Sequence, residues 1–422
     1  MREIILNALR ALHIDDYQIE SCDTSSVELF FIRKTLDMRR AKEVRTCTVT
    51  VYRDLTAEGK RCRGSSQALI FESMAPAEVE SSLKSAYFAA QFVKNPYYEL
   101  YPGKKEAPVA MASTLADRPL EESALLMAEA LFAADTDGDA FINSAELFVI
   151  RRHVCILSSA GVDVAFTRYQ VEGEFVTQCK APQDVEQYFP FQYGDLDRAS
   201  LTEKARQAIA AVRDRASAQR SPRPGTYDLV LSGDEVAKLM EYYTERASAP
   251  FVYARYSDWT VGKAVQGGSV RGERLNLRLL PTAPYSAEGI PMIERPLIED
   301  GTLRLLTGGN RFCQYLGVAP TGLYERVGVQ NGAVPLEELR KGCLCPVSFS
   351  DFEMDAFTGH FCGEIRLAYL YTDKGVEILT GGSVNGSLSE KQGNLLFSAE
   401  RYDTMTYTGP FAVRIEGVEV AG

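Results

Sequence analysis

The chain has 422 residues, of which 45% are hydrophobic and 24% charged, and a formal net charge of −11. That length exceeds what one ordinary core organises and calls for two domains, while the negative field repels phosphate backbones and argues against direct nucleic-acid binding. No apolar run approaches the length of a membrane span, and the N-terminus MREIILNALRALHIDD lacks the uninterrupted apolar core of a secretory signal, so the expected location is cytoplasmic, away from membranes.

Met1 to Leu12 predicts a helix with Ile4, Ile5, Ala8 and Leu12 on one stripe. Alternating strands follow in YQIESCD, SVELFFIRK and VRTCTVTVYRD, and SSQALIFES closes the sheet. Pro76 stands in the first turn of a helix reaching about Val93, where its missing N–H does no harm. NPYYELYPGKKEAPVAMASTLAD reads as a long loop, and Asp117 and Pro119 then start a helix that ends near Ala134.

Asp135 to Glu146, DTDGDAFINSAE, sets Asp135, Asp137, Asp139, Asn143 and Glu146 at the side-chain ligand positions of a calcium loop. Its sixth position is Ala140, where the turn ordinarily demands glycine, and the following ELFVIRRHVCILSS suits strands as well as an exit helix. The preferred reading is an acidic turn, with calcium binding as the alternative.

VCILSSAG, DVAFTRYQVEG and EFVTQCKA read as further strands with Gly161 and Gly173 at turns, and Ser200 with Glu203 as a capping box opening the helix LTEKARQAIAAVRDRASA. QRSPRPGT breaks the pattern and puts the domain boundary at Ser221 to Gly225, dividing the chain into 1–220 and 226–422. Beyond it, Tyr227 to Leu231 is a short strand, and Asp234 to Arg246 a helix with Val236, Leu239, Met240 and Tyr243 at helical spacing. The remainder, from FVYARY through RLNLRLL and RPLIEDGTLRLL to AVRIEGVEV, is dense in strands and glycine turns. The fold class is therefore α+β: an N-terminal domain of antiparallel strands with flanking helices, and a β-rich, barrel-like C-terminal domain with few helices.

Nine scattered cysteines fit reduced, buried thiols better than a disulfide framework. Cys343 and Cys345 share a strand face near Cys362, a pattern that zinc ligation or a plain core strand would both produce. His360 and Cys362 are likewise two apart, which allows a thiol–imidazole pair, although alternation within a core gives the same spacing. His13 and His153 read as structural.

Three segments carry a resemblance in order and spacing across Tyr227 to Leu388: PYSAEGIPMIERPLIEDGTLRLLTGGNRFCQYLG, APTGLYERVGVQNGAVPLEELRKGCLC and FTGHFCGEIRLAYLYTDKGVEILTGGSVNGSL. With the strand and helix before them they resemble the TldD/PmbA family, also called the modulator of DNA gyrase family. The TldD-like branch is a zinc peptidase with His-Glu-x-x-His on this helix, where residues four apart turn both imidazoles toward one zinc and the Glu polarises its water. Here the aligned positions are Glu241, Tyr242, Tyr243, Thr244 and Glu245, and no cysteine follows Cys362 to supply the family's third ligand. The pattern resembles the PmbA branch, also called TldE.

That resemblance implies a subunit without peptidase activity or cofactor of its own, serving proteolysis or peptide maturation. Zinc is expected in a TldD-like partner, with which this chain would form a heterodimer, or it would pair with itself as a homodimer. The implied substrate is an unfolded or modified peptide; the cleft for it is sought near Glu288, Gly289, Thr321, Gly322 and the motif positions Glu241, Tyr242 and Glu245, while a plain turn at each glycine is the alternative reading. Two other readings are a stand-alone, chaperone-like peptide-binding homo-oligomer and a divergent cysteine hydrolase working through His360 and Cys362.

Overall fold

The computed structural model describes residues 1–136 and 138–422. Its first half runs α1 (Arg2–Ala11), β1 (Tyr17–Ile32), β2 (Thr35–Ala57), β3 (Lys60–Phe71), α2 (Pro76–Ala90), α3 (Leu120–Phe132), β4 (Ala140–Ser158), β5 (Asp163–Cys179), β6 (Val185–Tyr193) and α4 (Arg198–Ser217). The six strands form one antiparallel sheet in the order β3-β2-β1-β4-β5-β6, extended by two-residue strands at Asn95–Pro96 and Val109–Ala110. Helices cover one face in two places. α1 and α2 bury Ile19, Cys47, Val49, Val51 and Ile70 at one end, and α3 and α4 bury Leu29, Leu147, Val149, Val171 and Phe175 at the other.

The strands are longer than the local patterns predict. YQIESCD and SVELFFIRK are one strand, because the polar run Asp23-Thr24-Ser25-Ser26 stays hydrogen-bonded between β2 and β4. DVAFTRYQVEG and EFVTQCKA are also one strand, and Gly173 lies inside it opposite Leu147 and Phe191. The glycine there serves close approach rather than a turn: a Cβ would stand 2.1 Å from the Glu146 carbonyl oxygen and 2.6 Å from the Phe191 ring. The capping box is displaced too. Asp197 caps α4 by accepting from the Ser200 N–H at 3.0 Å, and Glu203 turns outward to Arg206.

The chain crosses from α4 to the second half through residues 218–224, which belong to no helix or strand. There it forms β7 (Gly225–Ser232), α5 (Asp234–Arg246), α6 (Ala249–Tyr253), β8 (Leu277–Leu280), β9 (Arg295–Glu299), α7 (Asn310–Leu316), β10 (Arg326–Val329), β11 (Leu344–Asp355), β12 (His360–Thr372), β13 (Ser383–Ser387), β14 (Tyr407–Pro410) and β15 (Ala412–Ala421), with a few shorter pieces between. β7 pairs with β11 and β15, β15 with β13, β13 with β12, and β12 back with β11. The ring is a closed barrel, which removes its sheet edges. A second sheet, β9-β8-β10-β14, lies beside it. FVYARY is helical rather than extended at its start, since the Ser248 hydroxyl accepts from the Phe251 N–H at 3.4 Å and caps α6. No helix among the described residues is long and apolar enough to cross a membrane.

Candidate functional site

α5 starts at Gly233, whose φ of +67° suits glycine, and drives Val236, Leu239, Met240 and Tyr243 into a core shared with Leu229 and Leu231 of β7 and Leu277 and Leu279 of β8. The five positions of the metal motif lie on its second half. Tyr242 and Tyr243 are buried, with ring centroids 5.9 Å and 6.3 Å from Trp259. The Arg246 guanidinium stands 5.6 Å from both the Tyr242 and Trp259 rings and donates to the Phe357 carbonyl at 2.9 Å. Burial pushes the Tyr242 phenol up, so the hydroxyl that replaces the motif's carboxylate is no general base.

Glu241 and Glu245 are exposed on the outer face. Glu241 is ion-paired with Lys238 at 2.9 Å, and partial shielding together with the Glu241 charge raises the Glu245 carboxyl. Among the described residues no three His, Cys, Asp or Glu side chains gather where they could hold a metal ion. The donors present at this helix do not fit a catalytic zinc, which takes three protein ligands rich in imidazole or thiolate.

The acidic stretch before β4 is drawn apart. Asp135 is buried and accepts from the Ile142 N–H at 3.0 Å, whereas Asp139 faces Arg213 at 3.0 Å. Asn143 and Glu146 both lie in β4, where the pairing is irregular at Asn143, and the exit helix of a calcium loop is absent. Asp137 lies outside the described residues.

Glu288, Gly289, Thr321 and Gly322 do come together, around the turn Thr307-Gly308-Gly309. The Thr321 hydroxyl accepts from the Gly308 N–H at 3.0 Å, and the Thr321 and Gly322 N–H groups both donate to the Gly308 carbonyl at 3.1 Å. Glu288 accepts from the Asn310 N–H at 2.8 Å at the start of α7, and burial raises its carboxyl against the opposing charge of Arg311. Gly289 meets the N-terminal domain: a Cβ there would lie 2.3 Å from a Val162 methyl, and its φ is +75°. The same turn is tied to the end of α5, because Thr307 N–H donates to Ala247 at 3.0 Å and Ala249 N–H to Thr307 at 2.7 Å. Glu241 and Glu245 do not line this cleft.

The cleft is one end of a longer groove between the domains. A compartment of about 380 Å³ runs from Glu20 and Phe166 to Glu288 and Gly322. It shares Arg168, Thr282 and Glu325 with a middle compartment of about 350 Å³. That one shares Glu172, Gln192, Met405 and Thr406 with the largest, of about 960 Å³, which reaches α4 and the start of α5. At the far end the Tyr402 hydroxyl donates to Asp234 at 2.8 Å, with Lys204 3.8 Å from the same carboxylate.

Sequence reasoning missed this groove, because its floor is the uncovered face of β1, β4 and β5, whose polar residues Glu20, Arg152, Arg168 and Gln170 look like ordinary solvent-facing positions. A thiol–imidazole contact is present on another strand, at 153 and 155. The His360 Nε2 meets Asn385 Oδ1 at 2.5 Å, while the Cys155 Sγ lies 3.4 Å from His153 Nε2 and the other ring nitrogen lies 2.9 Å from the Thr167 hydroxyl. The i, i+2 spacing that drew attention to 360 and 362 holds equally at 153 and 155. Burial pushes the Cys155 thiol up. Cys343 and Cys345 are buried in the core, as a strand would place them.

A closed barrel in the second half, and a helix-covered antiparallel sheet in the first with a long groove between them, define an α+β class of protein. Residues 224–422 match the model of the PmbA/TldA metallopeptidase C-terminal domain. Just under half of the chain, residues 224–422, is thus similar to the TldD/PmbA family. Whole-length structural likeness extends the fold to the N-terminal half. TldE from Thermococcus kodakarensis superposes with a TM-score of 0.78 at 16% identity, over 99% of this chain and 100% of that one. A protein from Thermotoga maritima described as a candidate modulator of a DNA gyrase gives 0.78 at 15%, over 100% of both chains. One from Bacteroides thetaiotaomicron, described in similar terms, gives 0.76 at 16%, over 100% of this chain and 98% of that one. No curated protein matches the sequence.

Proposed function

We propose that the chain is a TldE/PmbA-like subunit of a TldD-type metallopeptidase: it binds an extended peptide in the interdomain groove and leaves bond cleavage to a zinc-bearing partner. The observation that carries this reading is the replacement at the metal helix. Carboxylates occupy both histidine positions, one of them ion-paired to Lys238, and Tyr242 is packed against Trp259 where a water-polarising glutamate would stand. Zinc therefore belongs to the partner in this reading. The fold likeness to a TldE supports the reading, as does the groove, whose length suits an extended chain better than a compact metabolite.

Reconstitution tests it. The purified chain alone should leave an unfolded protein substrate intact. Mixed with a TldD-type subunit carrying His-Glu-x-x-His, it should co-elute as a heteromer and confer or raise chelator-sensitive cleavage. Cleavage by the chain alone, or failure of the two to associate, contradicts the proposal.

A further inference from the structure

β4 and β5 pair with Arg152 directly opposite Arg168. Like charges directly opposite on antiparallel strands oppose the pairing they sit in, so such a pair calls for a compensating anion. The protein supplies none in contact. Arg152 donates to the Gln170 side-chain oxygen at 3.1 Å, and the Arg168 Nε is buried without a hydrogen-bond partner. Among the described residues, no carboxylate oxygen lies within 4.0 Å of either guanidinium. Some other arginines do pair closely with acids, as Arg63 with Asp16 at 2.6 Å and Asp54 at 2.7 Å, and Arg414 with Asp228 at 2.6 Å.

Both guanidiniums line the middle compartment of the groove, and Arg168 also lines the compartment of Glu288. The acids around them are engaged or held back. Glu172 accepts from Gln170, Glu325 accepts from the Thr282 hydroxyl at 3.3 Å, and burial raises the Glu20 carboxyl while the Arg168 charge opposes that rise. Three nearby carboxylates repel a dianion such as phosphate more than a monoanion, and a planar carboxylate matches the two-pronged guanidinium geometry. The groove continues on both sides of this compartment, so a chain passing through presents a side chain here rather than its end.

We propose that Arg152 and Arg168 form a carboxylate-binding subsite that receives an Asp or Glu side chain of the extended peptide. This rests on the peptide-binding reading above. It makes the groove selective for acidic segments despite the net charge of −11.

The test uses fluorescence anisotropy with the full chain and two fluorescein-labelled, C-terminally amidated peptides, Gly-Ser-Val-Thr-Val-Glu-Val-Thr-Gly and the same sequence with Gln for Glu. The Glu peptide should bind about tenfold more tightly, as expected for one charge-assisted pair. Arg168→Gln and Arg152→Gln should each abolish that preference and leave the affinity for the Gln peptide unchanged. Either substitution should also leave the melting temperature equal or higher, because it relieves like-charge repulsion. Equal binding of both peptides by the wild-type chain, a preference that survives both substitutions, or a marked fall in melting temperature overturns the subsite while the peptide-binding reading stands. If neither peptide binds, the groove does not hold peptides and both proposals fall.

Discussion

At the scale of single residues, the positions aligned with the zinc motif have two different environments. Tyr242 is part of the core, so Tyr242→Ala should cost about 3 kcal/mol or more in a denaturant titration, the range for truncating a buried aromatic. Glu245, one turn further along, is exposed, and Glu245→Ala should stay within about 0.5 kcal/mol of wild type. If the two substitutions cost the same, the assignment of inner and outer faces is wrong. A neighbour on the same helix carries a pH signature. Burial pushes the Glu235 carboxyl up to about 8, with Asp234 adding to the rise and Lys204 opposing it. The folded chain therefore holds that proton over a range where the unfolded chain has released it, and stability falls as pH climbs from the ordinary carboxylate range to about 8. Glu235→Gln should remove this decline and gain most over wild type at and above that pH, as melting temperatures measured across the range would show.

At the scale of elements, the sequence announced most strands and helices and misplaced their ends. Local patterning resolves five or six residues at a time, so the polar run Asp23 to Ser26 and Gly173 each looked like a break. Both are bridged by neighbours on either side, a tertiary fact that no window contains. The strand predicted at FVYARY failed for the opposite reason: its β-rich composition yields to a capping serine just upstream. Gly173 supplies the sharpest check on the continuous β5. Gly173→Ala should cost about 1–3 kcal/mol through overpacking against Glu146 and Phe191, whereas a glycine in a solvent-exposed turn without positive φ would accept alanine with little change.

At the scale of the whole molecule, the α+β class and the barrel-like second half were legible, because strand density and glycine turns leave few other ways to bury so many short apolar runs. The cleft was legible only in part. Glu288, Gly289, Thr321 and Gly322 meet around one turn, to which α5 contributes its end, through Ala247 and Ala249, rather than its acidic face. The groove that continues past them could not be read, since it exists only where residues from strands near 20, 152 and 168 face loops near 282, 325 and 405. Its arginines stand out only once the pairing of β4 with β5 sets one against the other. A non-catalytic subunit grips no catalytic metal. Elemental analysis of the purified chain after exposure to excess zinc and gel filtration measures that directly. Zinc far below one equivalent per chain, unchanged in Glu241→Ala, is the result predicted; one firmly held zinc per chain, lost on substitution of Glu241 or Glu245, would contradict it.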